Sequence, residues 1–535
     1  MIQLIREILC FILGRRKLYL QMLKVFGSFH KIPRRNGKRI LFFPMGYFEA
    51  ASTWEVVLMN ALALRGHECK SFVCESLVRA CEVKFVDTDS SALCKRCEIT
   101  SKALFSFSNT DYFRSSRFTV KSDEEKAKRL LPRNNIELRG FSYEGIKFAE
   151  IVRPSLFHYL RIGSDQDSDE YYDVYRRFVV SAIVLFWIQE RIIKDYNPDV
   201  VFVINGLFYP GALLVELAKR NGIRHITYEC GYISGCLVFS DTTPSVWFPT
   251  ENIWEKYREM PLSDEENEAL DSYLNERVYG KRTSIQLWDK PDFDKEKAIS
   301  RYNIKQYKKV FSLFTNILWD SAAIGCDEAF GGLADWVRST ITYFASQAKD
   351  CLLIVRVHPA EIKIPGQESR EKILDSINGD IKDLPPNVVI LGPEDNTSSY
   401  LIMELSDCVL VNTSITGVEA ACYGKPVVVV GKTHYKSKGF TFDVKTREEY
   451  FGIVLGIMSG RLSYDDKNIR KIARRYAYTF FFRYMIDFPF TNQTITKFNS
   501  TLLSISSIKN LMPDQNANLD SICSFIIGEG NLVGH

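Results

Sequence analysis

The sequence lacks any unbroken run of about twenty apolar residues, the length that a transmembrane helix needs. An apolar run near the N-terminus, Ile2 to Leu13, is interrupted by Arg6 and Glu7. No small-residue cleavage site follows that run, so we expect neither a spanning helix nor a secretory signal. Internal repeats and low-complexity blocks are also absent.

A strong charge of either sign is absent as well. The chain has 69 Lys and Arg against 65 Asp and Glu, which gives a net charge of +4 over 535 residues. This balance and the lack of a recognition module exclude nucleic acid as an expected partner. The hydrophobic content of 46% is typical of a soluble globular protein. The length predicts two or three domains.

Acidic residues are nearly missing from the N-terminal segment, residues 1–38, which we predict to be basic and amphipathic. The first forty residues hold a single acid, Glu7, and these basic residues: Arg6, Arg15, Arg16, Lys17, Lys24, Lys31, Arg34, Arg35, Lys38 and Arg39. An apolar helix followed by basic clusters can lie on an anionic membrane surface. It can equally pack on the protein's own core. The first alternative predicts a cytoplasmic protein that is peripheral on the inner face of the cell membrane.

The thirteen cysteines are spread along the chain, and their odd number argues against a disulfide framework. Four of them form a cluster that ends in a CxxC motif: Cys74, Cys81, Cys94 and Cys97. Such a cluster is compatible with a structural zinc site or an iron–sulfur cluster. The alternative is a set of reduced, partly buried thiols.

Residues 407–431 read DCVLVNTSITGVEAACYGKPVVVVG and predict one βαβ unit. Two apolar runs, Cys408 to Val411 and Val427 to Val430, are typical of buried strands. Thr416 to Tyr423 between them can form a short helix, whose N-terminus would favour a phosphate. Glu419, one turn into that helix, can accept hydrogen bonds from ribose hydroxyls. The alternative is an ordinary βαβ unit in which the Ser and Thr side chains only cap a helix.

Two earlier strands end in residues that suit the same site. The predicted strand Leu352 to Val357 runs into Arg356-Val-His358-Pro359, and the strand Lys309 to Phe314 runs into Thr315-Asn316. Ligands of an open parallel sheet bind at the carboxyl ends of its strands. We therefore expect these residues to point towards the same crevice as Thr413 and Ser414.

A His-Pro at one strand end and an Asn-Thr-Ser at a later one, followed by Glu and Gly-Lys-Pro, resemble the C-terminal nucleotide-binding domain of GT-B glycosyltransferases. The similarity is to bacterial capsule and surface-polysaccharide enzymes of the Kdo-transferase-like kind, over roughly residues 307–445. The resemblance implies an α/β fold of the GT-B type. That fold has two Rossmann-like domains facing a central cleft, here with a helical insertion in the N-terminal half.

The resemblance implies transfer of a sugar from a nucleotide-sugar donor, with a CMP-linked sugar such as CMP-Kdo favoured, to a growing surface polysaccharide or glycolipid. It implies no cofactor, since cationic side chains and helix dipoles would stabilise the departing phosphate. No DxD motif lies in a convincing loop, which argues against a metal-dependent GT-A enzyme. Donor binding falls to Arg356, His358, Thr315, Asn316, Asn412, Thr413, Ser414, Thr416, Glu419 and Lys425.

Three other functions remain open at this point. A CDP-alcohol phosphotransferase of the teichoic-acid type shares a similar C-terminal layout. A non-hydrolysing sugar-nucleotide epimerase also has two Rossmann domains. A non-catalytic assembly subunit with the GT-B fold would bind nucleotide weakly and turn over nothing.

The N-terminal half supplies the predicted acceptor domain. A strand at Arg39 to Pro44, a helix and a second strand at Cys69 to Cys74 begin it. The candidate catalytic residues are Glu229, at the end of a later strand, Glu49, after the first strand, and His358 of the other domain. Glu229 can instead cap a helix, and the segment that holds Glu49 can instead be a plain turn with a Ser or Thr cap.

The predicted domain boundaries follow from these elements. After the segment 1–38 come an acceptor domain at 39–258 with the insertion at about 90–198, a linker at 259–305, a nucleotide-sugar domain at 306–485 and a tail at 486–535. We also expect His358→Ala or Glu419→Ala to remove transfer while folding stays intact.

Overall fold

The computed structural model describes residues 15–27, 37–44, 48–84, 90–108, 111–282, 291–364, 366–378, 384–493, 501–532 and 534. The chain forms two compact units. Unit 1 comprises the described residues up to Leu160, those from Asp165 to Phe248, and those from Met485 onward. Unit 2 comprises Arg161–Ser164 and Pro249–Tyr484.

The described strands and helices are numbered in chain order. The strands are β1 (Arg39–Phe43), β2 (Glu68–Val73), β3 (Tyr112–Arg114), β4 (Val200–Ile204), β5 (Arg224–Cys230), β6 (Cys236–Ser240), β7 (Lys309–Phe314), β8 (Cys351–Arg356), β9 (Val388–Leu391), β10 (Cys408–Val411), β11 (Val427–Val429), β12 (Phe442–Asp443), β13 (Ile486–Asp487), β14 (Thr491–Gln493) and β15 (Thr501–Leu503). The helices are α1 (Arg16–Phe26), α2 (Glu49–Leu64), α3 (Ser90–Phe105), α4 (Ser115–Phe118), α5 (Asp123–Leu130), α6 (Asn135–Leu138), α7 (Phe148–Leu160), α8 (Asp169–Tyr196), α9 (Tyr209–Arg220), α10 (Glu251–Tyr257), α11 (Asp264–Val278), α12 (Lys295–Arg301), α13 (Leu333–Gln347), α14 (Ala360–Lys363), α15 (Ile373–Asn378), α16 (Ser399–Leu405), α17 (Thr416–Cys422), α18 (Arg447–Met458), α19 (Asp466–Tyr478) and α20 (Ala517–Ile527).

The sheet of unit 1 has the strand order β3-β2-β1-β4-β5-β6-β13. Neighbours from β3 to β5 are parallel, while β6 and β13 add antiparallel strands at one edge. The central strands RILFF and VVFVI are almost wholly buried, as expected where helices cover both faces of a parallel sheet. The strand order reverses between β1 and β4, which makes the gap between them the switch point of this sheet.

The sheet of unit 2 has the order β9-β8-β7-β10-β11-β12, and every described pairing in it is parallel. Numbered from its own first strand, this order is 3-2-1-4-5-6, the Rossmann order, with its switch point between β7 and β10. The predicted strands at β7 and β10 have the observed bounds. The α/β class with two Rossmann-like domains is confirmed.

The predicted insertion at about 90–198 contains helices α3 to α8 and also the short strand β3, which pairs with β2. Its longest helix, α8, begins at a Ser168 cap that accepts a hydrogen bond from the Tyr171 N–H. It ends where Asn197 adopts a left-handed conformation with φ of 47°. The sequence pattern predicts this helix to within a few residues.

The predicted tail, residues 486–535, is instead a folded part of unit 1. Strand β13 pairs with β6, and α20 places Leu519, Ile522, Cys523 and Ile526 in the unit 1 core. These positions follow the i, i+3, i+4, i+7 spacing of an amphipathic helix. The apolar helical spacing of α20 can therefore be read from the sequence, although the glycines and polar residues of this segment suggested a tail.

The predicted linker, residues 259–305, also differs from the structure, because its described part lies in unit 2. Helix α11 is held against α19 by Arg474, whose guanidinium pairs with Asp271 at 2.5 Å and bonds to Asn267. Polar and charged residues of α11 therefore hold this helix against α19, which explains part of the polar composition of the segment. The boundary between the units falls after Phe248 and not at residue 258.

Of the predicted basic segment, residues 1–14 and 28–36 lie outside the described residues. The described helix α1 buries Leu18, Met22, Val25 and Phe26 in the unit 1 core. Its Gln21 side chain donates to the Leu503 carbonyl oxygen of β15 at 3.3 Å. This part of the segment packs on the protein's own core.

The buried carboxyl of Glu55 on α2 gives the first prediction. Glu55 is fully buried and accepts a hydrogen bond from the Tyr228 hydroxyl at 2.8 Å, and burial raises its pKa to about 8. The folded chain thus keeps a proton that the unfolded chain releases from about pH 4.5 upward. Its contribution to stability therefore falls as the pH rises towards 8.

We expect Glu55→Gln to raise the free energy of unfolding at about pH 9 by roughly 5 kcal/mol, and by less than about 1 kcal/mol at about pH 5. Urea unfolding followed by circular dichroism measures the difference, with the exposed Glu125→Gln as the matched control. A Glu55→Gln variant whose gain is the same at both pH values would contradict the buried, protonated state.

Candidate functional site

A pocket of unit 2 lies at the carboxyl edge of its sheet, beside the switch point between β7 and β10. It encloses about 1070 Å³, including the part open to solvent. Six residues predicted from the sequence line it: Thr315, Arg356, His358, Ser414, Thr416 and Glu419. The expectation that the ends of β7, β8 and β10 share one crevice therefore matches the geometry.

His358 is a neutral hydrogen-bond donor in this pocket. Its backbone N–H donates to Thr315 Oγ1 at 3.0 Å, and its Nδ1 accepts the Ala360 N–H at 3.2 Å. The proton of the neutral ring is therefore on Nε2. Burial, together with the neighbouring Arg356 charge, lowers the pKa of His358 to about 4. At neutral pH the ring offers one N–H and no positive charge.

Arg356 does not serve as the predicted phosphate ligand, because its guanidinium holds the backbone of the pocket. Only 2% of the residue is exposed. It donates to the carbonyl oxygens of Gly392 at 3.1 Å and Asp395 at 2.9 Å, and to Ser399 Oγ at 3.4 Å. Arg356 thereby fixes the segment that leads into α16, whose first residues line the pocket.

Glu419 is not a free ribose acceptor but one half of a buried ion pair. Its Oε1 lies 2.5 Å from Arg277 Nε and accepts the Tyr400 hydroxyl at 3.2 Å. Arg277 also donates to the Tyr273 hydroxyl at 3.1 Å and stacks on Phe481. Burial alone would lower the pKa of Arg277, but the Glu419 carboxylate and the two tyrosines raise it well above its usual value.

The turn before α17 is pinned by its own hydroxyls. The Ser414 side chain donates to Thr416 Oγ1 at 3.0 Å, and its carbonyl oxygen accepts the Tyr435 hydroxyl at 2.6 Å. Gly417 makes this close approach possible, since a Cβ there would lie 2.6 Å from the Tyr435 hydroxyl oxygen. Ser414 and Thr416 face the pocket in a fixed geometry.

Four predicted donor-site residues do not line the pocket as the structure describes it. Asn316 Oδ1 accepts the Thr413 N–H at 3.4 Å, so this pair joins the two loops on either side of the switch point. Asn412 is 4% exposed and bonds to Asp327. Lys425 Nζ donates to the carbonyl oxygens of Glu404 and Ser406 at 2.9 and 2.7 Å. Lys425 thus caps the C-terminus of α16.

The two predicted acceptor bases belong to unit 1. Glu229 is partly exposed at the carboxyl end of β5, where Oε2 accepts the Asn205 Nδ2–H at 2.9 Å and Oε1 accepts the Cys230 N–H at 2.9 Å. Glu49 is 3% exposed and forms an ion pair with Arg15. That buried pairing gives Glu49 a structural role in place of the predicted catalytic one.

The four clustered cysteines line a single cavity of unit 1, and all four are free thiols. Burial raises the pKa of Cys97 to about 12 and raises those of Cys74 and Cys81 as well. Within the described ranges, no group of three or more His, Cys, Asp or Glu side chains is placed to hold a metal ion. The residues present therefore do not fit the predicted zinc or iron–sulfur site.

The sequence reasoning missed several residues of the unit 2 pocket: Arg277, Tyr279, Ser398, Ser399, Tyr400 and Met403. Arg277 lies in the segment predicted to be a linker. It is the last member of the buried stripe Leu270, Tyr273, Leu274 and Arg277, which follows helical spacing. A charged residue at the end of an apolar helical stripe could have indicated that Arg277 is buried and needs an acidic partner.

The family comparison matches the part of the chain that holds this pocket. Residues 265–450 match the family described as "Capsule polysaccharide biosynthesis protein". The resemblance to capsule polysaccharide biosynthesis proteins is confirmed over that range. No curated protein sequence matches the chain.

Several solved structures are similar to this chain in part. KpsC, beta Kdo 2,7 transferase, of Thermosulfurimonas dismutans is 14% identical with a TM-score of 0.33, covering 62% of this chain and 90% of that one. KpsC, beta Kdo 2,4 transferase, of the same organism is 13% identical with a TM-score of 0.35, covering 58% and 86%. A UDP-GlcNAc 2-epimerase from Neisseria meningitidis is 10% identical with a TM-score of 0.25, covering 82% and 95%.

The described helices were also compared with the requirements of a membrane span. None of them combines the length and the apolar character that crossing a membrane requires.

The Arg277–Glu419 pair changes the expected effect of Glu419→Ala. Removing one partner of a buried ion pair leaves the other charge uncompensated, so we expect a loss of about 3 to 5 kcal/mol in the free energy of unfolding. The sequence alone predicted intact folding. Glu404→Ala on neighbouring α16, where the carboxylate is exposed and paired with Lys295, should cost about 0.5 kcal/mol or less.

Denaturant unfolding of the two variants and of the Arg277→Met/Glu419→Ala double variant tests this account. The double variant should recover stability relative to Glu419→Ala, because no charge is left buried alone. Equal stability of Glu419→Ala and Glu404→Ala would show that the pair does not hold the pocket wall.

Proposed function

We propose that the chain is a glycosyltransferase that moves a sugar from a nucleotide-sugar donor to a glycan acceptor. The observation that carries this proposal is the polar pocket at the switch point of a 3-2-1-4-5-6 parallel sheet. That position is where open α/β sheets bind nucleotides. The match of residues 265–450 to capsule polysaccharide biosynthesis proteins supports the same reading.

The pocket offers different surfaces for the two ends of a nucleotide. His358, Thr315 and Thr416 bring hydrogen-bond donors to the ends of β7 and β8 and to the turn after β10. Tyr279 and Met403 add aromatic and apolar surface, and both also line an adjoining hollow. Hydrogen-bond donors suit phosphate oxygens, while a flat apolar wall suits a base.

The chemical step requires stabilisation of the negative charge that develops on the departing nucleotide phosphate. On this proposal His358 Nε2–H donates to a phosphate oxygen, and the hydroxyl of Thr416, which accepts the Ser414 O–H, adds a further donor. These fixed donors take the place of a divalent ion, and no cofactor takes part. Because His358 is neutral, it can donate this hydrogen bond without the free-energy cost of placing a second positive charge beside Arg356.

The finer assignments rest on the sequence resemblance. We propose a CMP-linked donor such as CMP-Kdo and a growing surface polysaccharide or lipid-linked glycan as the acceptor. Glu229, held at the end of β5 by Asn205, is the proposed base for the acceptor hydroxyl. The proposed location is the cytoplasm, with an anionic membrane surface as a possible site of peripheral binding.

A thermal-shift panel with CMP, CDP, UDP, GDP and ADP tests the nucleotide site. A nucleotide present at about a hundred times its dissociation constant should stabilise unit 2 by roughly 2.7 kcal/mol. We expect CMP to give the largest shift, and His358→Ala to reduce it by removing the Nε2–H donor. His225→Ala on β5 of unit 1 is the matched control and should respond as the unchanged chain does.

The panel also separates the alternatives. A shift with CDP alone would favour a CDP-alcohol phosphotransferase, and UDP or GDP would point to a hexose donor. A well-folded sample that responds to no nucleotide would contradict the proposed function. A shift that His358→Ala leaves unchanged would contradict the assigned site.

A further inference from the structure

A second cavity lies at the switch point of the unit 1 sheet. It opens at the carboxyl ends of β1, β2 and β4, where Phe43, Val73 and Ile204 line it, and encloses about 920 Å³ including its opening to solvent. Ligands of parallel sheets bind at this position. The cavity therefore has the place of a binding site but shares no residue with the unit 2 pocket.

Most residues of its described lining are apolar, and they include these aromatic and branched side chains: Phe43, Phe72, Val73, Val78, Leu93 and Phe208. Two of its carboxylates, Glu75 and Glu98, are paired with Lys102. The four cysteines add soft, polarisable surface. Burial raises the pKa of the Cys74, Cys81 and Cys97 thiols, which keeps these three protonated at neutral pH. Lys84 Nζ donates to the carbonyl oxygens of Val78 and Arg79, both at 3.2 Å. The Lys84 ammonium group therefore stabilises the loop at residues 78 and 79 beside the cavity.

One polar group in the wall is not satisfied by the described protein. Glu82 is 1% exposed, and its carboxyl has a hydrogen bond with the Ser155 side chain, but its Oε2 has no hydrogen-bond partner among the described residues. The Glu82 carbonyl oxygen is anchored by His158 Nδ1 at 3.1 Å, which fixes the backbone at this point. A buried carboxyl oxygen without a partner costs free energy unless a ligand supplies the hydrogen bond.

We propose that this cavity binds an uncharged, largely apolar part of the acceptor, and that Glu82 accepts a hydrogen bond from a hydroxyl on it. The proposal rests on the proposed function, because it names the acceptor of that reaction. A carboxylate or phosphate group would meet the Glu82 carboxyl and an apolar wall. An alkyl or aryl group with a hydroxyl matches both features.

The cavity thiols provide a direct readout. We would measure the rate at which N-ethylmaleimide alkylates Cys74, Cys81, Cys94 and Cys97, located by peptide mass spectrometry, with Cys236 as an internal control outside the cavity. Octyl β-D-glucoside at about ten times its dissociation constant should slow cavity alkylation about tenfold. Phenyl β-D-glucoside tests an aryl group, and glucose tests the polar part alone.

Two pairs of variants make the test specific. Leu93→Trp fills the cavity and should abolish protection, whereas Leu130→Trp on the exposed face of α5 should leave it unchanged. Glu82→Leu should weaken glycoside binding about tenfold, because the hydrogen bond to the buried carboxyl is lost. Each variant is first checked for an unchanged near-ultraviolet circular dichroism spectrum and urea unfolding midpoint, because these substitutions all lie in unit 1. An unchanged nucleotide shift reports separately that unit 2 is folded.

Protection by the alkyl or by the aryl glycoside supports the proposal and identifies the class of apolar group. Absence of protection by both, in a sample that still responds to nucleotide, would overturn it while leaving the proposed function standing. Equal protection by glucose would also overturn it, since the cavity would then recognise the sugar. A sample that binds glycoside but no nucleotide would instead contradict the proposed function.

Discussion

A buried ion pair between Arg277 and Glu419 is the constraint on which the unit 2 pocket depends. Two charges removed from water are stable only when their geometry is good and their remaining atoms are hydrogen-bonded. Tyr273 and Tyr400 supply those bonds, and Phe481 packs against the guanidinium. The pair ties α11 to α17, so a helix distant in sequence becomes a wall of the site. Because Glu419 Oε1 is bonded to Arg277 and Tyr400, it is not available as the predicted acceptor for ribose hydroxyls.

The two units share a similar strand order, but their cavities at the switch point have different chemical linings. Each has a sheet whose central strands are parallel and whose strand order reverses beside its first strand, and each has a cavity at that point. In unit 2 the cavity carries hydroxyls and the neutral donor of His358, which suit phosphates. In unit 1 its described lining carries mainly aliphatic, aromatic and thiol groups, together with the buried Glu82 carboxyl, whose Oε2 has no partner among the described residues. Sheet topology fixes where a ligand can bind, and the side chains at the strand ends decide which one.

Much of this arrangement follows from local sequence, and the remainder depends on tertiary contacts. The apolar runs give β7 and β10 their observed bounds, and the strand-end rule correctly brings His358 and Ser414 into one pocket. Arg356 obeys the same rule, yet its guanidinium binds the Gly392 and Asp395 carbonyl oxygens, which no local pattern reveals. Arg277 was hidden because its partner lies 142 residues away in the chain. Direction and pairing of charged side chains are therefore the least predictable part of such a site.

The unit 2 pocket, on the proposed function, holds the phosphates of a nucleotide donor through His358. A crystal structure with the nucleotide that stabilises the protein most tests this role directly. We expect a phosphate oxygen within about 2.7 to 3.2 Å of His358 Nε2, with the base against Tyr279 and Met403 and the Arg277–Glu419 pair intact. A nucleotide bound elsewhere, or one whose phosphates contact Lys425 while His358 stays unengaged, would contradict it.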